Sequence, residues 1–336
     1  MSIVHVINRW GPGGAEKQLA ELLRRVSVPQ EVIELQGGPA RARRHHLAEL
    51  RRSLAATRPA VVVAWLDRSQ IAVALTAPRG TRLVASVRGL PRRLGPSGVW
   101  SLRLALVRYH RLVSNSVASR DATISFARPL RLADFDVIPN GVEIPMATQP
   151  SGGAPPLRVG FIGRDSPDKG LDVCLDALER LGDAVDPCLI GHGVPEAVAR
   201  RPSGRTWAVF GRIPDPWERC GHLDVLLVPS RSEGSPNVML EAFARGVPVI
   251  GTPAGGAAEL LAGGRGLSVP IGDAAALART VRELADDRPG ATSRAVRARD
   301  YVEERHAWPH VAAQWEALLH LMLDSRCAQA PARARA

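Results

Sequence analysis

The feature that most constrains this chain is an alternation running almost end to end. Short, nearly continuous aliphatic runs are each followed by a stretch with helical apolar spacing. In the first half the runs fall at 3–7, 32–35, 61–64, 82–87, 112–114 and 136–138, with helical patterns such as 15–25 and 100–109 between them. In the second half they fall at 158–162, 188–190, 207–210, 225–228, 247–250 and 266–269, with helices expected over 171–181, 238–244 and 274–285. Strands that lack an in–out alternation are buried on both faces, which requires a parallel sheet covered by helices on each side. The expected class is therefore α/β. A length of 336 residues suits about two such domains. The Pro/Gly-rich stretch 147–156 has linker composition and lies near mid-chain. The expectation is two doubly wound domains, 1–147 and 157–307, joined by a linker at 148–156 and facing each other across a cleft. A last helix over 308–323 is expected to pack back toward the first domain, and the tail 324–336 to be disordered.

Composition removes several classes of function. With 45% hydrophobic and 23% charged residues the chain is an ordinary globular one, not a disordered one. No apolar run approaches the roughly 18–20 residues of a membrane span. The first eight residues lack a secretory signal's basic-then-apolar layout. Cys174, Cys188, Cys220 and Cys327 have no metal or disulfide spacing. The chain reads as reduced and cytoplasmic. The net charge of +11 is lopsided: residues 1–150 carry +12 and residues 151–336 carry −1. A one-sided basic half points to an anionic partner, whether a phospholipid surface, a phosphorylated acceptor or nucleic acid. Against this, lysine occurs only at Lys17 and Lys169, so arginine is simply the usual surface cation of this chain.

The richest stretch is 224–242. A buried strand ends at Pro229, a polar loop carries Glu233, Pro236 suits a first helical turn, and Glu241 follows about a turn into that helix. Two carboxylates on the order of 10 Å apart would flank the unpaired N–H groups of a helix start, an anion site. That arrangement suits a sugar nucleotide. It equally suits a solvated loop glutamate beside a glutamate favoured by the helix dipole. A second cluster, 160–170, places Arg164 and Lys169 at the end of a strand, a planar fork and a point charge for phosphate. The plain alternative there is a surface loop with an Arg–Asp pair. A third, Gly11-Pro12-Gly13-Gly14-Ala15-Glu16, lets a ligand approach the backbone but lacks G-x-G-x-x-G spacing. A fourth, 251–259, repeats the strand, glycine turn and helix layout.

Taken in order, these residues resemble the retaining glycosyltransferases of family 4, the "glycosyl transferases group 1" proteins. The series runs from Gly13-Gly14-Ala15-Glu16 through Ile138-Pro139-Asn140-Gly141-Val142 and Gly163-Arg164…Lys169-Gly170 to Leu189-Ile190-Gly191-His192-Gly193. It ends with Glu233…Glu241 and Gly246-Val247-Pro248-Val249-Ile250…Gly255-Gly256…Glu259. The resemblance implies a GT-B fold of two Rossmann-like domains, acceptor domain first and nucleotide-sugar donor domain second. It implies that Arg164 and Lys169 hold the donor diphosphate, Glu233 the transferred sugar and Glu241 the ribose, with backbone near Arg212-Ile213 at the base. Amides around Pro236, Asn237 and Val238 and the Gly13-Gly14 loop would complete the phosphate grip. Many members carry a histidine beside the sugar at the end of a first-domain strand. Here Ala85-Ser86-Val87-Arg88-Gly89 aligns with it, and Arg88 is read as a catalytic cation on the donor or acceptor side. His192 stands where an acid is frequent and receives no role.

The implied reaction needs no metal and no resident cofactor, the donor being a UDP- or GDP-type sugar. Arg164, Lys169 and the helix start near Asn237 would meet the charge developing on the departing diphosphate. Asp134-Phe135-Asp136 is a D-x-D string in the wrong domain for metal-assisted transfer, and is read as strand-flanking acids. The resemblance further implies net retention by same-face attack, with polysaccharide, lipid-linked glycan or glycoconjugate as product. Expected partners are the donor, a hydroxyl acceptor and an anionic membrane surface reached peripherally, without nucleic acid or a disulfide-linked partner. Two other readings stand beside this one: a nucleotide-sugar epimerase or hydrolase on the same architecture, and a basic nucleic-acid-binding protein. The second lacks aromatic platforms, with two tyrosines in the whole chain.

Overall fold

The apolar runs are strands, and every pairing between them is parallel, as burial on two faces demands. The computed structural model describes residues 2–11, 13–35, 40–89, 95–146, 156–201 and 206–324, with backbone alone for 40–45. Apart from Pro156 and Asp324, the expected linker and tail lie outside the described residues. The chain divides into two units, Met1–Gly141 with Pro309–Ala336, and Val142–Trp308.

In the first unit the order is β1 (Ile3–Ile7), α1 (Gly14–Arg25), β2 (Gln30–Glu34), α2 (Ala40–Thr57), β3 (Val61–Trp65) and α3 (Asp67–Thr76). It continues with β4 (Arg82–Val87), α4 (Pro96–Leu106), β5 (Arg111–Ser114), α5 (Val117–Ala127) and β6 (Phe135–Val137). The second unit runs β7 (Leu157–Ile162), α6 (Leu171–Leu181), β8 (Val185–Ile190), α7 (Val194–Ala199), β9 (Ala208–Phe210) and α8 (Pro216–Cys220). Then come β10 (Val225–Val228), α9 (Asn237–Ala244), β11 (Val249–Gly251), α10 (Gly256–Leu261), β12 (Leu267–Ser268), α11 (Ala274–Asp286) and α12 (Arg288–His306). The last helix, α13 (Trp308–Leu323), groups with the first unit from Pro309 onward.

The first sheet has the order β2-β1-β3-β4-β5-β6, and the second β12-β11-β10-β7-β8-β9. Both are doubly wound, as expected. In the second sheet the winding reverses between β7 and β10, its first and fourth strands in sequence. Ligands of such sheets bind outside the carboxyl ends of the strands at that reversal. Central strands β1, β3 and β10 are buried along their whole length, whereas edge strand β2 is half-exposed.

Three local devices fix this frame. The Gln18 amide both donates to and accepts from the Gly141 backbone, at 2.8 Å each, closing the first unit on its last residue. The Val142 N–H donates to the His306 carbonyl at 2.8 Å and opens the second. In the first unit α13 is tied to the sheet by Trp315, which stacks on Trp65 with centroids 5.5 Å apart, and by the Arg82 guanidinium on the Met322 carbonyl. Helix α12 has no apolar stripe in the usual sense. Its buried side is Ala291, Ala295, Ala298 and Val302, small residues that allow a close approach, and it ends on the buried His306.

Candidate active site

Lys169 and Glu233, sixty-four positions apart, meet at the reversal of the second sheet: Lys169 Nζ donates to Glu233 Oε1 at 2.7 Å. Lys169 ends the loop after β7 and Glu233 lies in the loop after β10, so the two strands flanking the reversal deliver them to one place. The two loops are fastened together. The Arg231 N–H donates to the Asp168 carbonyl at 2.8 Å, and the Arg231 guanidinium grips Asp172 through two bonds of 2.7 and 2.6 Å. That grip holds the Asp172 carboxyl below its ordinary range. Gly170, at φ +67°, caps α6 in a left-handed conformation, and a Cβ there would overlap the Pro229 carbonyl oxygen. The approach of the two strand ends therefore depends on this glycine.

Glu233 is set from three sides. Its Oε1 accepts from Ser230 Oγ at 2.7 Å as well as from Lys169, and its carbonyl accepts from the Gly256 N–H at 3.4 Å. Gly255, at φ +58°, leaves no room for a Cβ against that same carbonyl oxygen. The glycine turn at 251–259 thus serves as a seat for the Glu233 loop. The Glu233 side chain is 8% exposed and that of Lys169 27%, so the pair faces outward on the lysine side.

Glu241 sits on α9, where Trp217 Nε1 donates to its Oε2 at 2.8 Å. Trp217 comes from α8, whose first turn is capped by Asp215. Arg245 lies over the Trp217 ring at 4.8 Å and donates to the Glu241 carbonyl, and burial lowers its pKa. Pro236 is the N-cap of α9, followed by Asn237 and then Val238, which packs with Ile213 against the core around Trp217. Arg164 is exposed and turned onto its own loop, donating to Ser166 Oγ at 3.1 Å and Asp168 Oδ2 at 3.2 Å. It has not joined the Lys169–Glu233 pair. His192 contributes its carbonyl to the Asp165 N–H.

The remaining candidates lie in the first unit. Gly13 is the N-cap of α1, and the Glu16 carboxylate occupies the space a Cβ there would fill; Gly14 is the first helical residue. Arg88, read from the sequence as a sugar-side cation, is turned inward. Its guanidinium lies 4.4 Å from the Trp65 ring and 5.5 Å from Trp315, with Nε on Ser86 Oγ and Nη1 on Asn140 Oδ1, each at 2.8 Å. Nη2 is buried without a partner among the described residues, and burial pulls the pKa down to about 9. Asp134 and Asp136 both pair with Arg111, at 2.7 and 2.8 Å.

Ser230, Trp217 and Asp67 were not singled out in the sequence. Asp67 follows Leu66, a non-glycine residue at φ +69°, and burial raises its carboxyl to about 6. Trp217 had a signal in Asp215-Pro216, a helix start, but its bond to Glu241 depends on how α8 and α9 pack.

The architecture is that of a two-domain, doubly wound α/β protein of the GT-B type. Across 96% of the chain it superposes on Anabaena HepE with UDP and glucose (TM-score 0.80, 22% identity, 100% of that chain). It also superposes on sucrose-phosphate synthase of Thermosynechococcus elongatus (TM-score 0.82, 17% identity, 96% of this chain and 99% of that one). Residues 156–287 match the family model of glycosyl transferases group 1. Over that stretch the match agrees with the resemblance drawn from the motifs. Among curated relatives, the lipopolysaccharide core biosynthesis mannosyltransferase LpsB of Rhizobium meliloti is 31% identical over 185 residues, 48% of this chain and 52% of that protein. LpsE of the same organism, a lipopolysaccharide core biosynthesis glycosyltransferase, is 27% identical over 241 residues, 68% of this chain and 66% of that one. The teichuronic acid biosynthesis protein TuaC of Bacillus subtilis is 32% identical over 123 residues, 36% of this chain and 31% of its own. The matches thus span from about a third to two thirds of these relatives' lengths.

Proposed function

We propose that this protein moves a glycosyl group from a UDP- or GDP-type sugar to a hydroxyl acceptor, with net retention and without a metal or resident cofactor. The observation that carries the reading is the meeting of Lys169 and Glu233 at the reversal of the second sheet, beside the start of α9. Lys169, with Arg164 once it leaves Asp168, takes the diphosphate, and the N–H groups from Asn237 and Val238 add a helix start. Glu233 then receives the sugar hydroxyls, and Glu241, held by Trp217, receives the ribose. The base lies near Ile213. The Gly13-Gly14 loop belongs to the acceptor domain. Arg88 enters as a positioning residue: stacked on Trp65 and bonded to Asn140, it fixes the carboxyl edge of the first sheet.

In this reaction the bond from the anomeric carbon to the diphosphate oxygen breaks as the acceptor oxygen bonds on the same face. The acceptor proton passes to the departing diphosphate. Lys169 and Arg164 stabilise the charge that this cleavage concentrates on the leaving group. The roles of LpsB, LpsE and TuaC in lipopolysaccharide core and teichuronic acid biosynthesis support a product among cell-surface polysaccharides or lipid-linked glycans.

The test is calorimetric: the melting temperature with UDP, GDP, ADP and TDP, in EDTA and then with Mg²⁺. A ligand that binds the folded state raises it by mass action. Stabilisation by one nucleoside diphosphate, equal with and without Mg²⁺ and lost in Lys169→Ala, is the expected result. No stabilisation by any of the four overturns the reading, and free sugar as the sole product from the matching donor marks a hydrolase.

A further inference from the structure

Residues 68–120 contain ten arginines and not a single Asp or Glu. This segment builds most of α3, all of β4, α4 and β5, and the start of α5. Arg111 is neutralised by Asp134 and Asp136, Arg120 by Asp121, and Arg88 is turned inward, but Arg68, Arg79, Arg82, Arg103 and Arg108 have no carboxylate partner among the described residues. The centre of the segment is α4, which is apolar on two sides. Leu102, Ala105 and Leu106 face the core. Trp100, Leu104 and Val107, spaced i, i+4 and i+7, point outward and are 58%, 61% and 47% exposed. A helix apolar all round belongs in a protein core or in contact with lipid, and no described residue covers the outer side of α4. It packs against α3 and α5, which add exposed Leu75 and Ile124. With Val117, half of the twelve exposed large hydrophobics among the described residues fall between 75 and 124.

The basic and apolar groups are interleaved. The Arg103 guanidinium lies 5.1 Å from the Trp100 ring and 5.0 Å from Phe126 of α5, and its Nε is buried without a partner among the described residues. No carboxylate pairs with Arg103 or Arg108 among the described residues. An exposed apolar patch with uncompensated cations at its edge matches an anionic lipid surface in both polarity and charge. No helix among the described residues is long and apolar enough to cross a membrane, so contact would lie in the interface plane.

We propose that the α4 face docks on an anionic phospholipid bilayer, with Trp100, Leu104 and Val107 entering the headgroup boundary and the surrounding arginines on lipid phosphates. The proposal stands on this surface and does not depend on the transferase reading. The experiment is vesicle flotation of the full chain, with phosphatidylcholine alone or mixed with phosphatidylglycerol, at low and high salt. The wild type floats with the mixed vesicles at low salt and is released by high salt. Trp100→Ser/Leu104→Ser melts as the wild type and binds them about tenfold or more weakly. Lys169→Ala, impaired in the donor site, floats like the wild type. Brominated lipid quenches wild-type tryptophan fluorescence, and Trp100→Phe loses that quenching while still floating. Equal binding by the double variant, equal binding to neutral vesicles, or no binding by the wild type overturns the proposal. So does concentration-dependent self-association without vesicle binding that the double substitution abolishes, because the patch is then covered by a second copy.

Discussion

Replacing Glu233 by glutamine tests the site more sharply than removing it. In the structure the Lys169 ammonium lies 2.7 Å from Glu233 Oε1, and that oxygen also accepts from Ser230 at 2.7 Å. A diphosphate must draw Lys169 away from this carboxylate or share it, and must approach an anion that repels it. A pair whose lysine is 27% exposed is worth about 1 kcal/mol to the free protein. Glu233→Gln keeps the shape and the Ser230 bond but frees the ammonium. Nucleoside-diphosphate affinity is therefore expected to rise by about fivefold, the equivalent of that 1 kcal/mol. Transfer is lost, because the neutral amide no longer accepts from the sugar hydroxyls as a carboxylate does. Lys169→Met lowers affinity, and the double variant binds like Lys169→Met, since Glu233 acts on the nucleotide through Lys169. Isothermal titration in EDTA at low salt reads all four proteins. Unchanged or weaker binding by Glu233→Gln, with its fold intact, refutes the idea that the phosphates compete with Glu233 for this lysine.

Two further outcomes follow from the frame. His5 is wholly buried and neutral, its Nδ1 accepting from Trp65 Nε1 at 3.0 Å and its Nε2 facing Gln30 Oε1 at 2.7 Å. Burial lowers its pKa from 6.5 to about 4. The unfolded chain therefore binds the proton first as pH falls. Stability is complete above about pH 6.5 and declines toward pH 4 by about 3 kcal/mol. Urea melts across that range check the slope, and His5→Gln should flatten it. Gly255→Ala should cost about 2–4 kcal/mol and weaken sugar-nucleotide binding, because a Cβ there would overlap the Glu233 carbonyl oxygen. Gly272→Ala has a comparable φ of +83° but open space around it, so its urea melt measures the backbone part alone.

Local chemistry made some of this visible in the sequence and hid the rest. The strands were legible because a strand buried on both faces must be aliphatic almost throughout, and that pattern needs no knowledge of neighbours. Arg164, Lys169, Glu233 and Glu241 were legible as residues at strand ends and at a helix start. Helix α12 was not, because its contact side is made of alanines scattered among arginines, which carry no hydrophobic periodicity. The inward turn of Arg88 was hidden too. It is set by Trp65 and Trp315, on a strand and a helix far apart in the chain, and a ring stack has no linear signature.

What the sequence by itself determined was the α/β class, the near-positions of the strands and the set of charged residues available for phosphate chemistry. Periodicity and local turn chemistry are sufficient for these. Only the tertiary structure decided that β7 and β10 are neighbours, that Gly170 and Gly255 allow the loops after them to close together, and that Lys169 meets Glu233. Strand order is a global choice, settled by which faces can be buried together. The contact between residues sixty-four positions apart exists only once that choice is made.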